Sequence, residues 1–464
     1  MFLHNIIIYH AYLPSFVKNL LQIETKIPYL KLLNVDYLWI NPIYESGGKD
    51  CGYDIKDYLT IDNKFGSLDD FKQLIMILKN NKIKLLMDLV INHTSDQHEW
   101  FTKSQNCIDP YTNYYIWRDK KDLNNDFNSE FEESAWTYCN IRKQYYYHYF
   151  YKEQPDLNLK NILVVNEIKN IIKFWISLGI AGFRMDAISC LIPNEQTGQQ
   201  LNTNETFDLL EHLRGWASSE LKNKILFLGE TEFSDINYAK RFYKSIDLVM
   251  NYRLAYLNEL NNIKYVNELT KWYGISIASS KNPLFYFYNH DRKRQRYGEN
   301  NIYIAKLMAT LLLIQHGAKI IYYGQEINMK EGQNHNIDKI GRDGCRTPMQ
   351  WSAEYANIPH WIPINNDYKE NNVLIQNEDD DSILNWYRYL SKFQKDITEI
   401  NDISTYNDLL ILKIKKKLES YKILLNFNNN TVQYIDNINI IKRSYINCEK
   451  LNIINPYEVI ICRQ

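Results

Sequence analysis

Glycine is scarce in this chain, 16 of 464 residues, about half of its ordinary share. Tyr, Ile, Asn and Lys fill the gap along the whole length, which reads as a bias of codon supply rather than as chemistry. Charge of one sign is missing too: Lys+Arg 54 against Asp+Glu 55 leaves a net −1. No long-range field is present to recruit nucleic acid, and no block of like charges reads as an interaction tail. The seven cysteines, Cys51, Cys107, Cys139, Cys190, Cys345, Cys448 and Cys462, lack a CxxC or any metal-ligand spacing. An odd, scattered set argues against a disulfide framework and a zinc site, and for a reducing compartment. No basic stretch precedes the apolar N-terminal run, so no secretory signal is expected. The most apolar segment, Ile302–Tyr323, is broken by Lys306, Gln315, His316 and Lys319 and falls short of the roughly 18 uninterrupted residues of a span. The expectation is a cytoplasmic protein with no membrane and no nucleic-acid partner.

What is present is alternation. Apolar runs Ile6–Tyr9, Asp36–Ile40, Ile83–Val90, Ile180–Asp186, Ile225–Glu230, Ser245–Tyr252, Pro283–Asp291 and Lys319–Gly324 read as strands. Between them lie segments of helical period, such as 68–81 behind a Ser67 N-cap, 167–178 and 207–221. Eight strand-helix units predict an α/β fold, a (β/α)8 TIM barrel, in preference to an open doubly wound sheet. From Asn92 to about Asn166 the period fails while aromatic residues crowd in, too long for a simple connection. The aromatics Trp100, Phe101, Trp117, Tyr145–Tyr147, Tyr149 and Phe150 are read as the core of an inserted subdomain. Beyond about Asp396 short alternating runs predict a small C-terminal all-β domain. The expected division is barrel 1–92, insert 93–166, barrel 167–396 and β domain 397–464.

In such barrels chemistry gathers at the C-terminal ends of strands. Asp88 and Asn92-His93 close the third strand, Arg184 and Asp186 the fourth, Glu230 the fifth, and Asn289-His290-Asp291 the seventh. Acids from several strands at one mouth raise one another's pKa, which points to acid-base work or to a cage for a divalent metal. Arg184, two residues before Asp186, shares its face of the strand and can hold that carboxylate ionised, as a nucleophile requires. Glu230, preceded by apolar Phe-Leu-Gly, is expected in a drier place with a raised pKa, as a general acid requires. Carboxyls in these two roles, about 5–5.5 Å apart, would make a retaining glycosidase.

The stretches DLVINH (Asp88–His93), QPDLN (Gln154–Asn158), GFRMDA (Gly182–Ala187), GE (Gly229-Glu230) and NHD (Asn289–Asp291) resemble the alpha-amylase superfamily, glycoside hydrolase family 13, in order and spacing. The resemblance runs over nearly the whole chain. It implies the barrel, an inserted B domain after the third strand and a C-terminal β domain. It also implies Asp186 as nucleophile, Glu230 as acid/base and Asp291 as transition-state stabiliser, with His93 and His290 on sugar hydroxyls and Arg184 orienting Asp186.

CGYDIKDY (Cys51–Tyr58) and GRDGCRTPMQW (Gly341–Trp351) look most like the alpha-glucosidase, oligo-1,6-glucosidase and trehalose-synthase branch. By that likeness Asp54 and Arg346 bind the terminal glucose and Tyr53 stacks on its ring. The implied action is exo, on short oligosaccharide or disaccharide glucosides. Ala187 resembles the members that favour alpha-1,4 links, where alpha-1,6 specialists tend to carry Val. The alternative is a glucosyltransferase or isomerase of the same family, of trehalose synthase or sucrose isomerase type. No cofactor is expected. The stretch Ser15–Lys26 has no Asp where the branch commonly binds calcium, which needs 6–8 oxygen ligands. Calcium stays open only at the amylase-type position, where Asn92 and Asp156 remain.

Overall fold

The computed structural model describes residues 5–123, 126–222, 225–231, 237–250, 262–294, 301–357, 360–406, 409–434, 439–445 and 453–464. Eight strands appear where the sequence places them: β1 Ile7–Ala11, β2 Tyr37–Ile40, β3 Lys84–Leu89, β4 Gly182–Met185, β5 Leu226–Gly229, β6 Leu248–Val249, β7 Leu284–Phe285 and β8 Ala318–Tyr322. Their order in the sheet is β6-β5-β4-β3-β2-β1-β8-β7. This is the ring order of a (β/α)8 barrel, with helices between successive strands.

The chain divides into two compact units, one of Met1–Val17, Thr25–Leu38 and Asn251–Gln464, the other of Lys18–Glu24 and Trp39–Met250. In the second unit β3, β4, β5 and β6 pair in parallel, Asp88 opposite Arg184 and Arg184 opposite Leu228. Gly182 is required there: a Cβ would lie 2.1 Å from the Leu226 carbonyl oxygen. The helix Leu68–Asn80 starts from Ser67, whose hydroxyl accepts from the Asp70 N–H while the Asp70 carboxylate accepts from Ser67 N–H, a reciprocal cap. Helix Ile162–Ser177 begins five residues before the predicted start, because Asn161 caps it by accepting from Leu163 N–H and the apolar run after it turns its buried side inward. Between β3 and β4 lie the helix Glu99–Gln105 and a three-stranded sheet with Gln144–Tyr147 in its centre. Phe101 stacks on Trp117 at 5.6 Å, and Tyr146 and Tyr147 are buried, so these aromatics pack as a core.

In the first unit β7, β8 and β1 pair in parallel, with Ile7 opposite Lys319 and Leu284 opposite Ala318. The apolar segment Ile302–Tyr323 is a helix, Ile302–Leu313, followed by β8. Nine of the helix's twelve residues are buried, which accounts for apolar character all round. Among the described residues no helix is long and apolar enough to cross a membrane. The predicted seventh strand is cut to two paired residues, because the chain leaves the ladder and Asn289 Oδ1 accepts from Asp291 N–H in a local turn. The sixth is cut likewise, and its predicted end, Asn251-Tyr252, lies outside the described residues. The C-terminal part is all-β: an antiparallel sheet of Ile397–Tyr406, Leu409–Lys416, Glu419–Asn426, Val459–Arg463 and Asn439–Arg443, in that order, with a two-stranded ribbon.

Candidate active site

In the second unit the acids stand at or just past strand ends, and main-chain bonds fix them there. Asp186 N–H donates to Leu89 O at 3.1 Å, and Glu230 N–H to Met185 O at 3.0 Å. Arg184 is fully buried and gathers three carboxylates. Its Nη1 donates to Asp88 Oδ1 and to Asp186 Oδ1, and its Nη2 lies 2.6 Å from Glu230 Oε2. The Ala187 N–H donates to the same Glu230 oxygen at 3.1 Å, so a turn with Ala187 at φ +45° ties the two acids together. Asp186 and Glu230 are thus held on the two terminal nitrogens of one guanidinium, side by side.

Burial opposes the charge on Arg184, but Asp88, Glu230, Tyr53 and Asp186 outweigh it and hold the guanidinium firmly protonated. One positive charge does not balance three acids. Asp88, whose Oδ2 accepts from Trp39 Nε1 at 2.8 Å, is pushed up to about 6 by burial, against the pull of Arg184. Glu230 does not sit in the apolar slot expected for it. Its side chain is 16% exposed and ion-paired, because Phe227 and Leu228 face the core while Glu230 stands beyond the strand.

Tyr53, Asp54 and His93 meet in the same unit. Tyr53 accepts at its hydroxyl from Asn41 Nδ2 at 2.8 Å, and its ring lies 5.8 Å from the Arg184 guanidinium. Asp54 is fully buried; Oδ1 accepts from Ser46 Oγ at 2.7 Å and Asp50 N–H at 3.3 Å. Burial raises its carboxyl while those donors and the Lys49 N–H oppose the rise. Its Oδ2 is buried without a hydrogen-bond donor among the described residues. Gly47 leaves room for it, since a Cβ there would come within 2.5 Å. His93 Nε2 lies 3.2 Å from Tyr53 O and 3.0 Å from Gln154 Nε2, which itself donates to Asp50. Burial pushes the imidazole down to about 4, so it is neutral.

In the first unit His290 packs edge-on against His10 at 5.3 Å and stacks beside Tyr12 at 6.4 Å. Its Nε2 lies 3.0 Å from Asp291 Oδ2. Arg346 is fully buried, with Nε donating to His290 O at 2.7 Å and Nη2 to Asp291 Oδ1 at 3.1 Å. A second arginine, Arg342, reaches the same oxygen at 2.9 Å. Sequence reasoning missed Arg342, although it stands in the GRDGCR run that pointed to Arg346. It missed Gln154 inside QPDLN for the same reason, since a motif names several residues and does not say which one touches the site.

At the amylase-type calcium position Asn92 Oδ1 and Asp156 Oδ2 are buried without a hydrogen-bond partner among the described residues, and burial drives the Asp156 carboxyl well above the carboxylate range. Among the described residues no three acidic, His or Cys side chains gather as a cage.

A ring of eight strands carrying acids at its strand ends, bridged by a strand-borne arginine, defines a barrel enzyme of the glycoside hydrolase class. Residues 18–402 match the family described as alpha amylase, catalytic domain. The chain belongs to that family, glycoside hydrolase family 13, and is a glycoside hydrolase. It is 32% identical to an oligo-1,6-glucosidase of Bacillus cereus, over 89% of this chain and 87% of the relative. It is 34% identical to a glucan 1,6-alpha-glucosidase of Streptococcus pneumoniae, over 85% and 84%. Among solved structures it is similar to a trehalose-6-phosphate hydrolase of Bacillus licheniformis, at 25% identity, 99% of both chains and a TM-score of 0.88. It is likewise similar to an isomaltulose synthase of Erwinia rhapontici, at 26% identity, 99% and 98% coverage and a TM-score of 0.89.

Proposed function

We propose that the protein is a retaining, exo-acting alpha-glucosidase that removes terminal glucose from short glucosides through a covalent glucosyl-Asp186 intermediate. The observation that carries the reading is the single Arg184 guanidinium holding Asp186 and Glu230 on adjacent nitrogens. Two carboxyls side by side on one guanidinium suit a nucleophile and an acid/base acting on one bond, and a separation of about 5–5.5 Å is what the retaining route requires of them. Asp186 attacks the anomeric carbon as the glycosidic C–O bond breaks, and Glu230 gives its proton to the departing oxygen. Glu230 then takes a proton from water, whose oxygen displaces Asp186 and releases glucose. Asp291 stabilises the positive charge that develops on the sugar. Asp54, through an Oδ2 that has no donor among the described residues, accepts a hydroxyl of the terminal glucose, Tyr53 lies against the ring and His93 holds a further hydroxyl; the roles of Arg346 and His290 on the sugar follow from the family resemblance.

Maltose-type alpha-1,4 links are the favoured substrates in this reading, on the strength of Ala187. The relatives named for 1,6 bonds make isomaltose the comparison that matters. The second reading, glucosyl transfer or sucrose isomerisation by the same covalent step, is prompted by the likeness to the isomaltulose synthase. The purified protein incubated with maltose, isomaltose, sucrose and trehalose, with products separated by chromatography, decides among them. Glucose as main product from maltose supports hydrolysis of alpha-1,4 links. Rearranged disaccharide in excess over glucose overturns hydrolysis, and turnover of isomaltose alone overturns the linkage preference. A cytoplasmic location belongs to the proposal, supported by six described cysteines that form no disulfide.

A further inference from the structure

The run Cys51–Tyr58 ends in a tyrosine to which the sugar site gives no role. Tyr58 stands on the strand Ile55–Ile61, which pairs with Tyr44–Ser46 and follows directly on Tyr53 and Asp54. Its ring is buried and packs against Tyr44 at 5.9 Å, His98 at 5.7 Å and Trp100 at 6.1 Å. Its hydroxyl shares one proton between two carbonyls, donating to Val90 O at 2.7 Å and to His93 O at 3.0 Å. Both carbonyls lie past the end of β3, where partners have to come from elsewhere. Leu89 O accepts from Asp186 N–H and Asn92 O from Leu157 N–H, while Val90 O and His93 O accept from Tyr58. Two further contacts join the same segments: Ser95 N–H donates to Ile55 O at 2.8 Å, and His93 Nε2 lies 3.2 Å from Tyr53 O. The stretch that carries Tyr53 and Asp54 therefore grips His93 both at its ring and at its main chain.

We propose that Tyr58 is a positioning residue that sets His93 at a fixed distance from Asp54, so that both meet hydroxyls of one glucose. The inference rests on the reading of Asp54 and His93 as sugar-binding groups. Removing the hydroxyl leaves the buried Val90 and His93 carbonyls without their donor, a cost that the segment between them relieves by moving. Hydrogen bonds weaken steeply with misalignment, so a His93 that has moved against Asp54 no longer fits the same sugar. The bonds concerned are made before the reaction as well as during it, so their loss falls on KM and leaves kcat nearly alone. A role in folding would act the other way, because fewer active molecules lower the apparent kcat at an unchanged KM. Phenylalanine isolates the hydroxyl: it keeps the ring contacts, and the bond from Trp175 Nε1 at 2.8 Å goes to the main-chain oxygen of residue 58.

A double-variant cycle tests this on the full chain, with Tyr58→Phe, His93→Asn and Tyr58→Phe/His93→Asn. Steady-state hydrolysis of the best substrate, the Kd of glucose by calorimetry and thermal melting are measured for each. Tyr58→Phe is expected to raise KM and the glucose Kd by about tenfold, the worth of one hydrogen bond, while kcat changes less than about threefold. Once His93 is gone its placement no longer matters, so the double variant should lie within about twofold of His93→Asn. An unchanged KM and glucose Kd in Tyr58→Phe, beside a weakened His93→Asn, overturns the role of Tyr58 and leaves that of His93 standing. Equal losses from Tyr58→Phe with and without His93 also overturn it, as does a fall in kcat at constant KM. A Tyr58→Phe chain that fails to melt cooperatively assigns the hydroxyl to the fold and overturns the role as well. Native KM and glucose Kd in His93→Asn remove the assignment of His93 and the inference with it.

Discussion

Replacing Asp88 by asparagine tests where the proton resides in a cluster of three acids and one arginine. Asp88 is wholly buried, accepts from Trp39 and Arg184, and titrates at about 6, against an ordinary carboxylate value of about 3.9. The folded protein therefore holds a proton there that the unfolded chain has lost between roughly pH 4 and 6. Stability from this group is full below about pH 4 and is lost as pH rises through about 6. A shift of about two units amounts to about 3 kcal/mol. Asparagine has no such titration and turns an N–H toward Arg184, leaving that charge short of a partner, a loss of about 3–5 kcal/mol for a broken buried pair. Chemical denaturation of both proteins at half-unit steps from pH 4 to 7 gives the check, because other carboxylates cancel in the difference. The stability advantage of the native chain over Asp88→Asn should shrink by about 3 kcal/mol across that window. A difference that stays flat would mean that Arg184 keeps Asp88 ionised throughout, and the argument that one guanidinium leaves an acid protonated would fail.

Glu230→Gln should lower kcat on maltose by a factor of about 10²–10⁴, the usual worth of general acid help, and less on a nitrophenyl glucoside whose leaving group needs no proton. Ala187→Val puts a β-branched residue at φ +45° and should cost about 1–2 kcal/mol in denaturant melts; no change would mean the turn relaxes freely. Gly182→Ala should fold poorly, since its Cβ would strike the Leu226 carbonyl at 2.1 Å, an overpacking strain of about 1–3 kcal/mol or more. Chelation with EDTA should leave maltose hydrolysis unaltered, because among the described residues no three acidic, His or Cys side chains gather to hold a metal ion; loss of activity restored by calcium would refute this.

The sequence alone determined which residues close the strands. Alternating apolar runs and helical periods are local properties, so all eight strand positions and the Ser67 cap were legible. The seventh strand was read too long because an apolar run does not record where pairing stops. The link from Arg184 to Asp186 was also legible, because two residues apart on a strand means one face. Tertiary structure decided the rest. It placed Asp88 and Glu230 on the same guanidinium, set Asp88 in a dry site and Glu230 in a wetter one, and brought Arg342 onto Asp291 across 51 residues of chain. A carboxylate's charge state depends on the solvent it loses and the partners it meets, and both come from segments far apart in sequence, so no reading of neighbours along the chain could assign them.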